Sequence, residues 1–416
     1  MPRHRLHCLD ALRTVAALAV VLEHWPQHFF SVKAFAQPLA AAPLYAYLSL
    51  PYRYGASAVT FFFCLSGFIF FWLYAEEVHG RKLGFRDFAM LRVSRLYPLH
   101  LATLSLLVPL VALMWVLFGS NFVYANDDLY HFALNLLGVQ YWGFQHGYSW
   151  NGPSWSVSVE IALYIIFFIA CRLSRPGLAQ AACLAIVALV CARFSIIIDS
   201  AVAFFVGGMT YYAYRWAARH GRAWHAATAV AATVLLWLWL APLSDRGVGQ
   251  STVAQLRSAL PAGLARDLAG RAALVFCDRL RDVVLFPSVI FSFAFLESRT
   301  QNLPWRRLSG VGNLSYGVYL IHYPLQFVAV LAALSFSAKA DFFTRPSVLV
   351  VFLVVLLAAA AASYQWFEKP AMLALRRAAR QRERAPALEA ALAHAGQMPA
   401  IGLPAEPGGP EEATRR

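Results

Sequence analysis

Residues 347–367 read SVLVVFLVVLLAAAAASYQWF, a stretch without a charged side chain that stops at Glu368, Lys369 and Pro370. As a helix this stretch rises roughly 30 Å at about 1.5 Å per residue, close to the thickness of a bilayer's hydrocarbon core. A helix in a soluble core has no use for an uncharged run of that length, so the segment places the chain in a membrane. Working back from it, apolar runs recur near 9–29, 55–75, 96–118, 154–172, 178–197, 199–216, 224–242, 283–298 and 311–335, each closed by charged or Pro-rich breaks. The expected fold is all-α, with about ten transmembrane helices.

Composition agrees. Of 416 residues, 60% are hydrophobic and 13% charged, against about 25% charged in soluble domains. Intrinsic disorder, collagen and disulfide scaffolds are excluded, and the six cysteines carry no CxxC pair, so neither a metal site nor a disulfide framework is expected. A net charge of +14 fits either nucleic-acid binding or membrane topology. With both termini cytoplasmic, 24 of the 35 Lys and Arg fall inside, including Arg81 to Arg95, Arg215 to Arg222, Arg299 to Arg307 and the eight from Lys369 onward. The positive-inside rule selects that orientation and removes nucleic acid as a partner. Residues 1–370 form the membrane domain, and 371–416 a charged tail that begins as a short helix and ends disordered. The basic start and Ala34-Phe35-Ala36 imitate a signal peptide, but Arg13, Glu23 and His24 inside the run argue for a retained first span. Walker-type, GxGxxG and GxSxG motifs are absent.

An ionisable residue inside a span costs roughly 2.5–3.5 kcal/mol even on the lenient insertion scale, so each one points to a cavity or a partner. Arg13 and His24 stand eleven residues apart, close to three turns, and so share a face of the first span. Two readings fit that spacing: a groove for an elongated ligand with an anionic head, or a snorkelling Arg with a His capping the outer end. In Pro153-Ser154-Trp155-Ser156-Val157-Ser158-Val159-Glu160, the Pro opens a helix on which Ser156, Glu160 and Tyr164 line up. Glu160 lies a turn or more below the outer surface, deeper than a dipole-favoured carboxylate needs to be. In Asn313-Leu314-Ser315-Tyr316-Gly317-Val318-Tyr319-Leu320-Ile321-His322, the residues Ser315, Tyr319 and His322 share a face, and a packing role for His322 competes with a chemical one. Arg92 and Arg95 suit phosphate recognition, although topology alone explains an isolated RxxR.

Taken in order, LDALR with Arg13 and His24 at R-x10-H spacing, FFFCLSGFIF, Arg92 with Arg95, PSWSVSVE, LSGVGNLSYGVYLIHYP and SYQWFEKP resemble the acyltransferase-3 family of membrane acyltransferases, the bacterial glycan O-acetyltransferase type. The resemblance spans about Leu9 to Pro370. Two departures stand out: Glu23 replaces the apolar or aromatic residue expected before the histidine, and SVSVE replaces the commoner SLxxE. The resemblance implies a multi-pass protein of the bacterial inner membrane, with acyl-CoA, most simply acetyl-CoA, as donor substrate and no bound cofactor. It implies a carbohydrate or glycolipid hydroxyl as acceptor. On this reading His24 is the general base, or carries the acyl group as an acyl-imidazole before transfer, and Glu160 orients it or binds the acceptor. Arg13, Arg92 and Arg95 take the CoA phosphates, while Trp155, Ser156, Tyr316, Tyr319 and His322 bind the acceptor or support the site. A competing reading is a proton-coupled exporter of a glycan, lipid or drug, for which buried His and Glu are equally apt.

Overall fold

The computed structural model describes residues 6–244, 246–259, 264–300, 312–379 and 381. Arg3, Arg5, Arg306, Arg307, the opening LSGV of LSGVGNLSYGVYLIHYP and the distal tail lie outside the described residues. Among the described residues every regular element is helical. Each of the ten apolar runs is a helix: α1 (His7–Phe29), α3 (Ser57–Leu73), α5 (Phe85–Phe118), α7 (Trp155–Leu173), α8 (Leu178–Cys191), α9 (Ile196–His220), α10 (Ala223–Leu240), α13 (Phe286–Arg299), α14 (Ser315–Ser335) and α15 (Pro346–Ser363). Between them lie α2 (Tyr45–Tyr54), α4 (Ala75–His79), α6 (Leu129–Leu137), α11 (Arg246–Ala259) and α12 (Leu264–Leu280).

Six of these helices are long and apolar enough to cross a bilayer, or seven if α2 and α3, bent by 59° at their junction, count as one span. Three expected spans fall short of that test for physical reasons. Helix α1 is 23 residues long but carries Asp10, Arg13 and Glu23. Helix α8 has only 14 residues, and α13, also 14, continues from a π-helical turn at Arg281–Leu285. Helix α5 begins at Phe85, well before the apolar run at 96, so its 34 residues outreach the hydrocarbon core and carry Arg86, Arg92 and Arg95 on the first turns.

Helix α1 is central. Ala17, Val20, Val21, Trp25 and Phe29 are wholly buried on it. Both of its ends are pinned. At the start, Glu297 of α13 accepts the backbone N–H of His7 at 2.9 Å and of Cys8 at 2.8 Å, satisfying two donors that a helix start leaves open and placing negative charge on the positive end of the dipole. At the far end, the Trp25 indole donates to the Phe343 carbonyl at 3.0 Å, and the Phe29 ring stacks on Phe343 at 3.9 Å. Between these two anchors Arg13 and His24 stand eleven residues apart, about 16 Å along the axis.

Helices α3 and α9 cross where Gly67 faces the Phe204 backbone and Gly207 faces the Cys64 carbonyl. A methyl group at either position would overlap main chain, so glycine is what permits the approach, as at small-residue crossings in membranes generally. After α15 a π-helical turn over Tyr364–Glu368 continues the chain into helix, and Arg376 reaches back to the Ser94 hydroxyl at 3.0 Å.

Candidate active site

Helices α1 and α14 run parallel and meet in two rungs. His24 Nδ1 lies 2.8 Å from His322 Nε2, and one turn further on His28 Nδ1 lies 2.6 Å from Gln326 Oε1. The i, i+4 spacing on both helices makes the rungs register. The imidazoles stack, with ring centroids 4.8 Å apart for His24 and His28 and 5.1 Å for His24 and His322. His28 and His322 are buried and His24 is partly open, so the ladder has one accessible imidazole. The rings lie nearly face to face, and among the described residues no group of three or more His, Cys, Asp or Glu is arranged to hold a metal ion.

His24 opens onto a cavity of about 330 Å³ toward the C-terminal end of α1, the outer chamber of the topology expected from the sequence, walled by Val20, Glu23, Gln27, His28, Tyr124, Tyr148, Pro153 and Trp155. Below it lies a smaller cavity of about 50 Å³ lined by Arg13, Ser66, Ser156, Glu160, Ser315, Tyr316 and Tyr319. Val59 of α3 lines both. On α1, Arg13 lines the inner chamber and His24 the outer one.

Glu160 is in the inner chamber. Its carboxylate accepts from the Ser66 hydroxyl at 2.9 Å and from the Tyr164 hydroxyl at 2.5 Å. It makes no hydrogen bond to His24, and the expectation that Glu160 orients that imidazole gives way to His322, which occupies the position. The two side chains open on different cavities, Glu160 on the inner chamber and His24 on the outer one.

Tyr319 and Tyr316 are expected from the sequence to bind the acceptor or support the site. Each hydroxyl has one proton, and both are already used on main-chain carbonyls: Tyr319 donates to Pro153 at 2.6 Å and Tyr316 to Leu96 at 2.7 Å. Ser156 meets the Tyr319 hydroxyl at 2.8 Å. These bonds, with Asn151 donating to the Leu320 carbonyl and Gln140 to Ser154, seat the 3-10 turn Gly152–Ser154 on α14. Pro153 at the head of α7 loses no needed donor there, and the turn presents Trp155 to the outer chamber and Ser156 to the inner one.

The cationic residues differ in setting. Arg13 is half-buried beside the inner chamber, and the charges acting on it include those of Arg95 and Glu160. The Arg92 guanidinium is spread over the Tyr74 ring at 4.4 Å and the Phe70 ring at 4.7 Å, while Arg95 is exposed. The two therefore do not present one matched fork of donors.

The segment between α5 and α7 covers the outer chamber. Asp128 caps α6 by accepting the His131 N–H at 2.8 Å, and this bond, together with the His131 imidazole at 2.9 Å, holds its carboxyl below the usual range. The neighbouring Asp127, which accepts the Trp150 N–H, is pushed up to about 6 by burial. Tyr124 from this segment touches His28 Nε2 at 3.2 Å and closes the back of the histidine ladder. Sequence reasoning missed His28, Gln326 and Tyr124. The first two carried a signal, since each stands four residues beyond a histidine already singled out; Tyr124 lies in a loop and carried none.

A family model described as an acyltransferase domain matches residues 6–364. Among curated proteins, the chain is 34% identical over 180 residues to "Acyltransferase MdmB" of Streptomyces mycarofaciens, covering 41% of this chain and 40% of that one. It is 31% identical over 116 residues to "Protein 2 in picA locus" of Rhizobium radiobacter, covering 28% of this chain and 51% of that one. The chain thus aligns with about half or less of the length of these relatives. No solved structure matches.

Proposed function

The chain belongs to the acyltransferase-3 family, and from that premise we propose that it moves an acyl group, most simply acetyl, from cytoplasmic acyl-CoA to a hydroxyl of a cell-envelope or exported glycan. The observation that carries this reading is the His24–His322 pair at 2.8 Å, with His24 half-open on the outer chamber. For His24 to take a proton at Nε2, its Nδ1 must hold one, and His322 Nε2 is placed to accept that N–H and fix the tautomer. An acceptor hydroxyl in the outer chamber then meets a neutral base on one side.

The donor enters from the opposite face in this reading. CoA phosphates bind by Arg95 and Arg92 at the start of α5, and the thin pantetheine arm passes Arg13 to bring the thioester to the division at Val59. Glu160, held by Ser66 and Tyr164, lines that passage rather than the base. Attack of the hydroxyl oxygen on the thioester carbonyl forms the ester, breaks the carbon–sulfur bond, and returns the proton from His24 to the departing thiolate.

The same proposal includes ten crossings, cytoplasmic termini and residence in a bacterial inner membrane. The parallel register of α1 and α14 supports the count: residue 24 pairs with 322 and 28 with 326, and helices one and nine of an alternating series point the same way. The test is CoA release and acyl transfer to a mixed glycan pool by the purified protein in nanodiscs, with acetyl-CoA as donor. Wild type turns over and His24→Ala does not. Turnover that survives His24→Ala at equal protein level would sink the reading, and substrate movement without CoA would favour an exporter.

A further inference from the structure

Glu23 stands where the family resemblance leads one to expect an apolar or aromatic residue, and the structure shows what it meets. Its side chain is buried, with the residue 7% exposed. Oε1 takes the Gln27 amide at 2.5 Å, one turn on. Oε2 has no hydrogen-bond partner and lies 3.7 Å from His24 Nε2, at the wall of the outer chamber. A buried carboxylate oxygen without a donor is costly to keep, by about 1–3 kcal/mol, unless some state of the protein supplies one.

Resting on the acyl-transfer reading above, we propose that Glu23 is a positioning residue for His24, whose free carboxylate oxygen holds the imidazolium that forms when the acceptor hydroxyl gives up its proton. The atoms balance as follows. The acceptor O–H bond breaks and an N–H bond forms at His24 Nε2. The oxygen joins the acyl carbon, the carbon–sulfur bond opens, and the same proton leaves Nε2 for the thiolate. Glu23 acts in this step as the carboxylate and neither gives nor takes the transferred proton. Its contribution is largest in the middle of the reaction, when His24 is cationic, and absent at either end, which is the condition for raising kcat rather than affinity.

Other groups facing His24 cannot replace it. His28 on α1 and His322 on α14 are imidazoles whose own protonation would repel a cation, and Tyr124 of the covering segment is neutral. Arg53 borders the adjoining outer depression with Glu23, but it is exposed and bonded to the Tyr45 hydroxyl at 2.8 Å. Among the described residues the ion pair made by Glu23 is the one with His24.

The experiment measures kcat, both KM values and the pH profile of kcat for wild type, Glu23→Gln and Glu23→Asp in nanodiscs. A carboxylate within about 4–6 Å raises an imidazole's proton affinity by about 1–3 pH units, so Glu23→Gln should move the acid limb down by about one unit and lower kcat about tenfold. Both KM values stay within about twofold, and Glu23→Asp, which keeps the charge, recovers part of the loss and most of the limb. Glu23→Gln retains the bulk and the contact with Gln27, and wild-type kcat with an unmoved limb in that variant overturns the proposal; if it fails to assemble, Glu23→Leu, which also removes the charge, is read on the same terms. A rise in acceptor KM with kcat and limb unchanged also overturns it, making Glu23 an acceptor contact. Loss of turnover in His24→Ala with Glu23→Gln indifferent removes this inference alone, whereas turnover in His24→Ala removes the reading beneath it.

Discussion

Replacing His322 tests the centre of the mechanism, because it leaves His24 in place and removes only what holds it. The bond between His24 Nδ1 and His322 Nε2 is 2.8 Å long and is buried on the His322 side, where the residue is 0% exposed. In His322→Ala the Nδ1–H of the active tautomer is left in a buried setting without a partner, a loss of about 1–3 kcal/mol. The tautomer with the proton on Nε2 gains by the same amount, and it cannot act as a base toward the outer chamber. At about 1.4 kcal/mol per decade, kcat should fall by roughly 5- to 150-fold. The KM for acyl-CoA should hold, because the donor path runs through the inner chamber. His322→Gln, whose amide oxygen can accept the same N–H, should lose less. The assay is CoA release at saturating donor and acceptor, on variants that elute as a single species. A kcat within twofold of wild type in His322→Ala would refute the reasoning. So would a double variant His24→Ala, His322→Ala much slower than His24→Ala alone, since residues acting as one unit lose their effect once.

Gly67→Ala should force α3 and α9 apart and cost about 1–3 kcal/mol, read as a lower melting temperature and a poorer yield of folded protein, with a matched substitution at Gly177, where an added Cβ meets nothing within 4 Å, as the silent control. Asp127 should make the covering segment less stable as pH rises. Its pKa stands near 6 in the fold against 3.8 in the open chain, so the neutral form's advantage is whole below about 4 and lost, by about 3 kcal/mol, once pH passes 6. Amide exchange at Trp150 should then be faster at pH 7 than at pH 4.5 beyond the intrinsic rate, and Asp127→Asn, which still accepts the Trp150 N–H, should remove that excess. Arg13→Gln should raise the KM for acyl-CoA about tenfold with a smaller change in kcat, checked by initial rates across donor concentrations, if the inner chamber is the donor path.

Much of the architecture was legible because a bilayer writes long apolar runs into a sequence, and all ten runs are helices. The site was legible in part. Arg13 and His24 on one face follow from a period of 3.6, and so do Ser156, Glu160 and Tyr164, of which the last two are bonded directly. Periodicity says which residues share a face of one helix but not what that face meets. Hence Glu160 was assigned to His24 when its partners are Ser66 and Tyr164, and the pairing of His24 with His322 was invisible across 298 residues. Tyr316 and Tyr319 were misjudged for a related reason: a phenol's one proton can be spent on a carbonyl that no side-chain pattern reveals. Glu23 was visible only as an oddity, and its proximity to His24 Nε2 depends on a rotamer.

The parallel pairing of the first and ninth apolar helices has a consequence for how the protein is made. Helix α1 carries Asp10, Arg13 and Glu23, and its partner α14 is synthesised some 298 residues later. At about 5–20 residues per second, His24 and His28 wait roughly 15–60 s for the α14 side chains that pair with them. Biogenesis, rather than the stability of the finished bundle, is therefore the stage at which a further charge on α1 would be least tolerated.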